Sequence, residues 1–89
     1  LIITHRPEIG RFETFVEGLQ CEADYRRDGT IMRRTHTGVP AALEGRGIAA
    51  ALVKEALTWA QAQGLKVDPI CSYVRVYIRR HPEWSSLQA

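Results

Sequence analysis

The sequence predicts an α+β fold: a mixed α/β sheet whose antiparallel meander is followed by a helix, a parallel strand and a second helix. Three observations predict it. Residues 20–26 alternate, with Cys21, Ala23 and Tyr25 on one face and Glu22, Asp24 and Arg26 on the other, the period of a half-buried strand. Asp28-Gly29 follows at once and is a strong hairpin signal. Over residues 47–63 the period changes to that of a helix with an apolar surface broad enough to require a sheet beneath it. At 89 residues the chain reads as one domain, 1–89, with room for one core.

Taken in order, residues 11–17 read as a strand closed by a turn near Gly18, residues 20–26 as the second strand, and residues 30–38 as the third. In the helix, Ile48, Leu52, Ala56 and Trp59 recur at helical spacing, as do Ala49, Val53, Leu57 and Ala60. Lys54, Thr58 and Gln61 form a narrow polar stripe. Gly64 is placed to end this helix in a left-handed turn. Leu65-Lys66-Val67 is a short strand expected to lie parallel to the third through a right-handed crossover. A second helix is expected over Ser72 to Arg80, with Ser72 as its N-cap. Pro82 marks its end, because the residue before a proline avoids helical geometry.

Composition bounds the function. The hydrophobic share of 45% and the charged share of 25% are those of an ordinary globular protein. No apolar run approaches the roughly 20 residues that span a bilayer, and no basic-then-apolar leader opens the sequence. An initiator methionine is expected ahead of Leu1. Cys21 and Cys71 sit in different contexts and allow at most one bridge, and no Cys/His spacing fits zinc, so the expectation is a cytoplasmic protein with reduced thiols and no metal. A net charge of +2 is too small to argue for nucleic acid. The arginines at 26–27, 33–34 and 75–80 read as solvated faces, with an anion-facing surface as the alternative.

Gly45-Arg46-Gly47 leads straight into the first helix. There the first backbone N–H groups lack partners and the helix dipole is positive. Glycines without side chains leave those donors open to a phosphate or pyrophosphate. No Gly-Lys-Ser/Thr follows, and the spacing is wrong for a dinucleotide fingerprint.

Several motifs in order then carry a resemblance: His36-Thr37-x-Val39-Pro40, Leu43-Glu44-Gly45-Arg46-Gly47-Ile48-Ala49, Gly64-Leu65-Lys66-Val67-x-Pro69-x-Cys71-Ser72-Tyr73-Val74, and Tyr77-Ile78-x-Arg80-His81-Pro82-Glu83. Over about residues 11–87 the chain resembles the small, single-domain, YjdJ-type members of the GCN5-related N-acetyltransferase (GNAT) superfamily. The resemblance implies a truncated GNAT acyl-CoA N-acyltransferase fold that keeps the acetyl-CoA loop and lacks the C-terminal strands of larger members. It implies acetyl-CoA as cofactor and transfer of acetyl to an amine, a small molecule or a protein, that the sequence does not identify. Glu44 stands where the family's loop has Gln or Arg, and Gly38 where it carries a carboxylate. The loss at Gly38 keeps open a second reading, a CoA-binding or interaction module with little transfer activity. A third reading, a nucleic-acid module built on Arg75, Arg79, Arg80 and the hairpin arginines, would show steep salt dependence.

For the site, the resemblance implies pantetheine pairing with strand backbone at Thr37 and Val39, and pyrophosphate on the N–H groups of Gly45, Arg46, Gly47, Ile48, Ala49 and Ala50. It places Cys71 near the cofactor's thioester. Ahead of a helix N-terminus, Cys71 reads as a nucleophile or as a group that positions the acceptor, with a small apolar filler as the alternative. His36 at the strand end could take the amine proton, against a structural histidine bonded to backbone. Tyr73 and Tyr77 are candidates to protonate the departing CoA thiolate, with Tyr77 preferred and Tyr73 read as packing. Trp59 and Cys21 are expected in the core, and His5, His81 and Trp84 as surface, helix-end and tail residues.

Overall fold

The computed structural model describes residues 1–89. Five strands lie in sequence order across one sheet: β1 (Thr4–Arg6), β2 (Arg11–Val16), β3 (Leu19–Asp28), β4 (Ile31–Gly38) and β5 (Lys66–Asp68). β1 to β4 are antiparallel neighbours, and β5 is parallel to β4. Helix α1 (Ile48–Ala62) links β4 to β5, and α2 (Ser72–Arg80) follows β5. The expected meander, helix, parallel strand and helix are all present.

β1 is the element the sequence did not announce. Three residues are too few for an alternating pattern, and Pro7 follows directly. What makes the strand is its neighbour: His5 lies opposite Phe12, and their rings stack with centroids 4.0 Å apart. His5 also meets the Tyr25 hydroxyl at 2.6 Å and the edge of Trp59. His5 is therefore part of an aromatic cluster and not a free surface residue. Trp59, expected in the core, is half-buried and caps this cluster at the rim.

The hairpins follow local chemistry. Glu17 and Gly18 both take positive φ, as a two-residue type I′ turn requires, and Gly29 starts the next turn between the paired Asp28 and Ile31. On α1, Ile48, Leu52, Val53, Ala56, Leu57 and Ala60 are buried on the sheet face carrying Phe12, Cys21, Ala23, Tyr25 and Met32. Burying each larger aliphatic side chain contributes about 1.5–3 kcal/mol. This face, with Val74, Tyr77 and Ile78 from α2 and Leu87 from the C-terminal 3₁₀ segment, forms one core of 18 residues. Gly64 ends α1 with φ +72°.

Two details shape the site. A β-bulge falls opposite Asp24 and Tyr25, which pair with His36 and Arg34 and leave Thr35 without a partner. Residues paired across a ladder share a face, so the bulge sets Arg34 and Thr37 on the α1 face with Tyr25 and Ala23. His36 goes to the opposite face with Asp24. Secondly, β5 pairs only with Ile31, Met32 and Arg33 of β4, and one further bond runs from Cys71 N–H to the Arg34 carbonyl at 2.8 Å. Past Arg34 the two chains part.

Candidate acyl-CoA site

The end of β4, the glycine loop, the start of α1 and Tyr73 of α2 line an open cavity of about 440 Å³. Its walls include Thr37 and Val39 from β4 and its continuation, Gly45, Gly47, Ile48, Ala49 and Ala50 from the loop and first turn, and Tyr73 from α2. Seven of the residues expected to hold the cofactor thus share one cavity.

At the loop, Gly45 and Gly47 adopt φ of +82° and +76°, and nothing lies within 4 Å of where a Cβ would stand on either. Gly47 caps α1 with no side-chain bond. The first turn closes with Ala51 N–H on the Gly47 carbonyl, so the amides of Ile48, Ala49 and Ala50 have no partner within the helix. An open cradle lined by unpaired donors at the positive end of a 15-residue helix fits an anionic phosphate. Arg46 is held elsewhere, paired with Glu17 in the β2–β3 turn, and both side chains are largely exposed. Glu44 lines the cavity and adds no positive charge to the cradle.

Cys71, not Ser72, is the N-cap of α2, and its Sγ lies 3.7 Å from Thr37 Oγ1. Burial pushes the Cys71 thiol up, but the Val74 amide, the Thr37 hydroxyl, the Tyr73 amide and the Arg34 charge together outweigh it. Its pKa ends below the ordinary thiol value. Cys21, by contrast, is fully enclosed and its pKa is pushed up by burial.

The other candidates disperse. His36 is exposed, and its Nε2 lies 3.2 Å from Glu22 Oε2 on the sheet face opposite Thr37. Tyr77 does not line the cavity: it is buried, and its ring stacks on His81 at 4.1 Å. Tyr73, read from the sequence as packing, is the tyrosine on the cavity wall and is 39% exposed. The sequence reading preferred Tyr77; the two lie four residues apart on α2, and which of them meets the cavity depends on how the helix packs. Gly38 has a physical reason to be glycine. A Cβ there would stand 2.0 Å from Glu22 Oε2 and 2.8 Å from His36 Nε2. Glu22, the partner of Gly38 across the β3–β4 ladder, already puts its carboxylate at that spot. Sequence spacing carries no trace of this, because it depends on strand register.

A mixed sheet that parts beside a glycine-started helix leaves a cavity shaped for an extended, anionic ligand. Residues 11–87 match the model of the GCN5-related N-acetyltransferase family, and the chain belongs to that family. It is 43% identical over 52 residues to Protein NATD1 of Gallus gallus, covering 58% of this chain and 47% of that protein. Protein NATD1 of Homo sapiens matches at 43% over 52 residues, 58% of this chain and 46% of its own length. The alignment thus spans about half the length of these curated relatives. The solution structure of a GCN5-like protein from Staphylococcus aureus superposes with a TM-score of 0.80 at 23% identity, covering 100% of this chain and 88% of that one, which shows the shared fold. No helix is long and apolar enough to cross a membrane.

Proposed function

We propose that this protein binds acetyl-CoA in the cavity between β4 and α1 and transfers the acetyl group to an amine. The observation that carries the reading is the cradle at Gly45–Ala50 joined to the gap beside Thr37 and Val39. One end offers unpaired amides to a pyrophosphate, and the other offers an open strand edge to an extended pantetheine chain. Acetyl-CoA supplies an acetyl group activated as a thioester. Tyr73, the tyrosine on the cavity wall, is the group that would protonate the departing thiolate in this reading. The Glu22–His36 pair sits on the sheet's other face, where it can take a proton from an amine approaching from that side.

Calorimetric titration with acetyl-CoA and with CoA tests this reading. Saturable binding at micromolar affinity or tighter is expected, and absence of heat with either ligand would overturn it. Acetylation of amines by the wild type, screened after binding is established, separates a transferase from a CoA-binding module. A binding protein inert towards every amine class would favour the module.

A second reading concerns the route, and the lowered pKa of Cys71 beside Thr37 favours it. Here the Cys71 sulfur bonds to the acetyl carbon as the carbon–sulfur bond to CoA breaks, and CoA leaves as its thiolate. The acceptor amine then attacks the acyl-cysteine, loses its proton to the base, and returns the Cys71 thiolate. Incubation with acetyl-CoA should then leave a hydroxylamine-labile acetyl mass on Cys71, and Cys71→Ala should abolish turnover. A fully active Cys71→Ala would leave direct transfer as the route.

A further inference from the structure

The turn at Pro7–Gly10, β3 and α1 line a second open cavity, of about 490 Å³, which shares no residue with the acyl-CoA cavity. Its α1 residue is Trp59, eleven residues beyond Ile48 and about 16 Å further along the helix axis. The two cavities therefore lie toward opposite ends of α1. The lining joins Ile9, Tyr25 and Trp59 to Arg26 and Arg27.

This cavity is built into the fold. Gly10 takes φ +68°, and its carbonyl accepts the Tyr25 N–H at 2.8 Å. A Cβ at position 10 would stand 2.2 Å from the Tyr25 carbonyl oxygen, so only glycine lets the turn lie this close to β3. Trp59 is held as firmly. Its ring meets those of His5, Phe12 and Tyr25 at centroid separations of 4.5, 6.1 and 5.8 Å.

Charge sets the class of ligand. Arg26 and Arg27 are exposed, and neither takes part in an ion pair. Arg27 spends only its Nε, on the Gly29 carbonyl at 3.2 Å. The one acid in the lining, Glu8, is taken by Arg6 at 3.0 Å. Arg33, opposite Arg26 on β4, already holds Asp28 and Asp68. Two uncompensated guanidinium groups thus stand beside a fixed aromatic ring. A phosphate monoester carries close to two negative charges at neutral pH, and its oxygens match guanidinium donors. An aromatic group on the ester finds an apolar partner in Trp59.

We propose that this second cavity binds a small aryl phosphate monoester, with the phosphate on Arg26 and Arg27 and the ring against Trp59. The test is a titration of the isotope-labelled full chain with phenyl phosphate, followed in ¹H–¹⁵N spectra at low ionic strength, where exposed charges are least screened. The chain has two tryptophans, and Trp84→Phe identifies the Trp59 indole cross-peak. That cross-peak and the Ile9 and Gly10 amides should move saturably, with a Kd of about 1 mM or tighter. The Gly45 and Gly47 amides should stay still, and saturating acetyl-CoA should not displace the ligand. Inorganic phosphate, which has no ring, and benzoate, which has one charge, should each bind about tenfold more weakly. Arg27→Met, a change at an exposed side chain, should weaken phenyl phosphate binding by about tenfold as well. Four results overturn the proposal: no saturable movement at Trp59, movement at Gly45 and Gly47 instead, displacement by acetyl-CoA, or full affinity in Arg27→Met. Equal binding of inorganic phosphate or of benzoate overturns the assigned class.

Discussion

His5 shows how a single side chain acquires a role from its neighbours. Burial lowers its pKa, against a smaller raising effect from Glu8. The folded protein therefore holds its proton less tightly than the unfolded chain does. The stability His5 contributes is complete above its unfolded pKa of about 6.5 and is lost as pH falls through the lower folded value. The melting temperature should accordingly drop between pH 7.5 and 5, and His5→Gln should flatten that slope. An unchanged slope would mean the drop comes from carboxylates such as Glu8. Arg34 presents the opposite case: it is fully buried with its guanidinium nitrogens unpartnered, and burial lowers its pKa only to about 10, so its charge is retained. Replacing it by methionine should leave the fold as stable or raise it by about 1–4 kcal/mol, measurable by denaturant titration. Cys71, Thr37 and Arg34 are 34 and 37 residues apart along the chain, so no local pattern could have joined them.

At the scale of elements, α1 both covers the sheet and presents its first turn to the cavity. Gly47 serves both roles: its positive φ turns the chain into the helix, and its missing side chain leaves the first-turn amides open. Gly47→Ala meets no atom within 4 Å, so its cost is the left-handed backbone alone, about 1–2 kcal/mol. The fold should survive while acetyl-CoA affinity falls at least tenfold, or about 1.4 kcal/mol, by calorimetry. Unchanged affinity would place the pyrophosphate elsewhere. β4 was legible as a strand but its bulge was not. Alternation along one strand cannot show that an extra residue on it lacks a partner, and Thr35 is invisible until β3 is laid alongside. The same register puts Glu22 where a side chain at position 38 would be, and explains the glycine that looked like a loss.

Across the whole molecule, the expected order of elements held because each carries its own local cause: alternation in β3, Asp28-Gly29 at the hairpin, the broad apolar surface of α1 and Gly64 at its end. β1 was missed because it exists through contacts with Phe12, Tyr25 and Trp59 and not through its own three residues. The cavity follows from topology, since it lies where the end of β4, the loop after it, the start of α1 and Tyr73 of α2 come together. The sequence by itself determined the fold class, the glycine-started helix and the family resemblance, because these rest on periodicity and on motifs contiguous in the chain. Only the tertiary structure decided that Tyr73 rather than Tyr77 lines the cavity, that His36 faces away from Thr37, and that a buried, unpartnered Arg34 lies beside Cys71. Those assignments depend on helix rotation, strand register and the closing of distant segments on one another, which are settled by packing and not by local propensity.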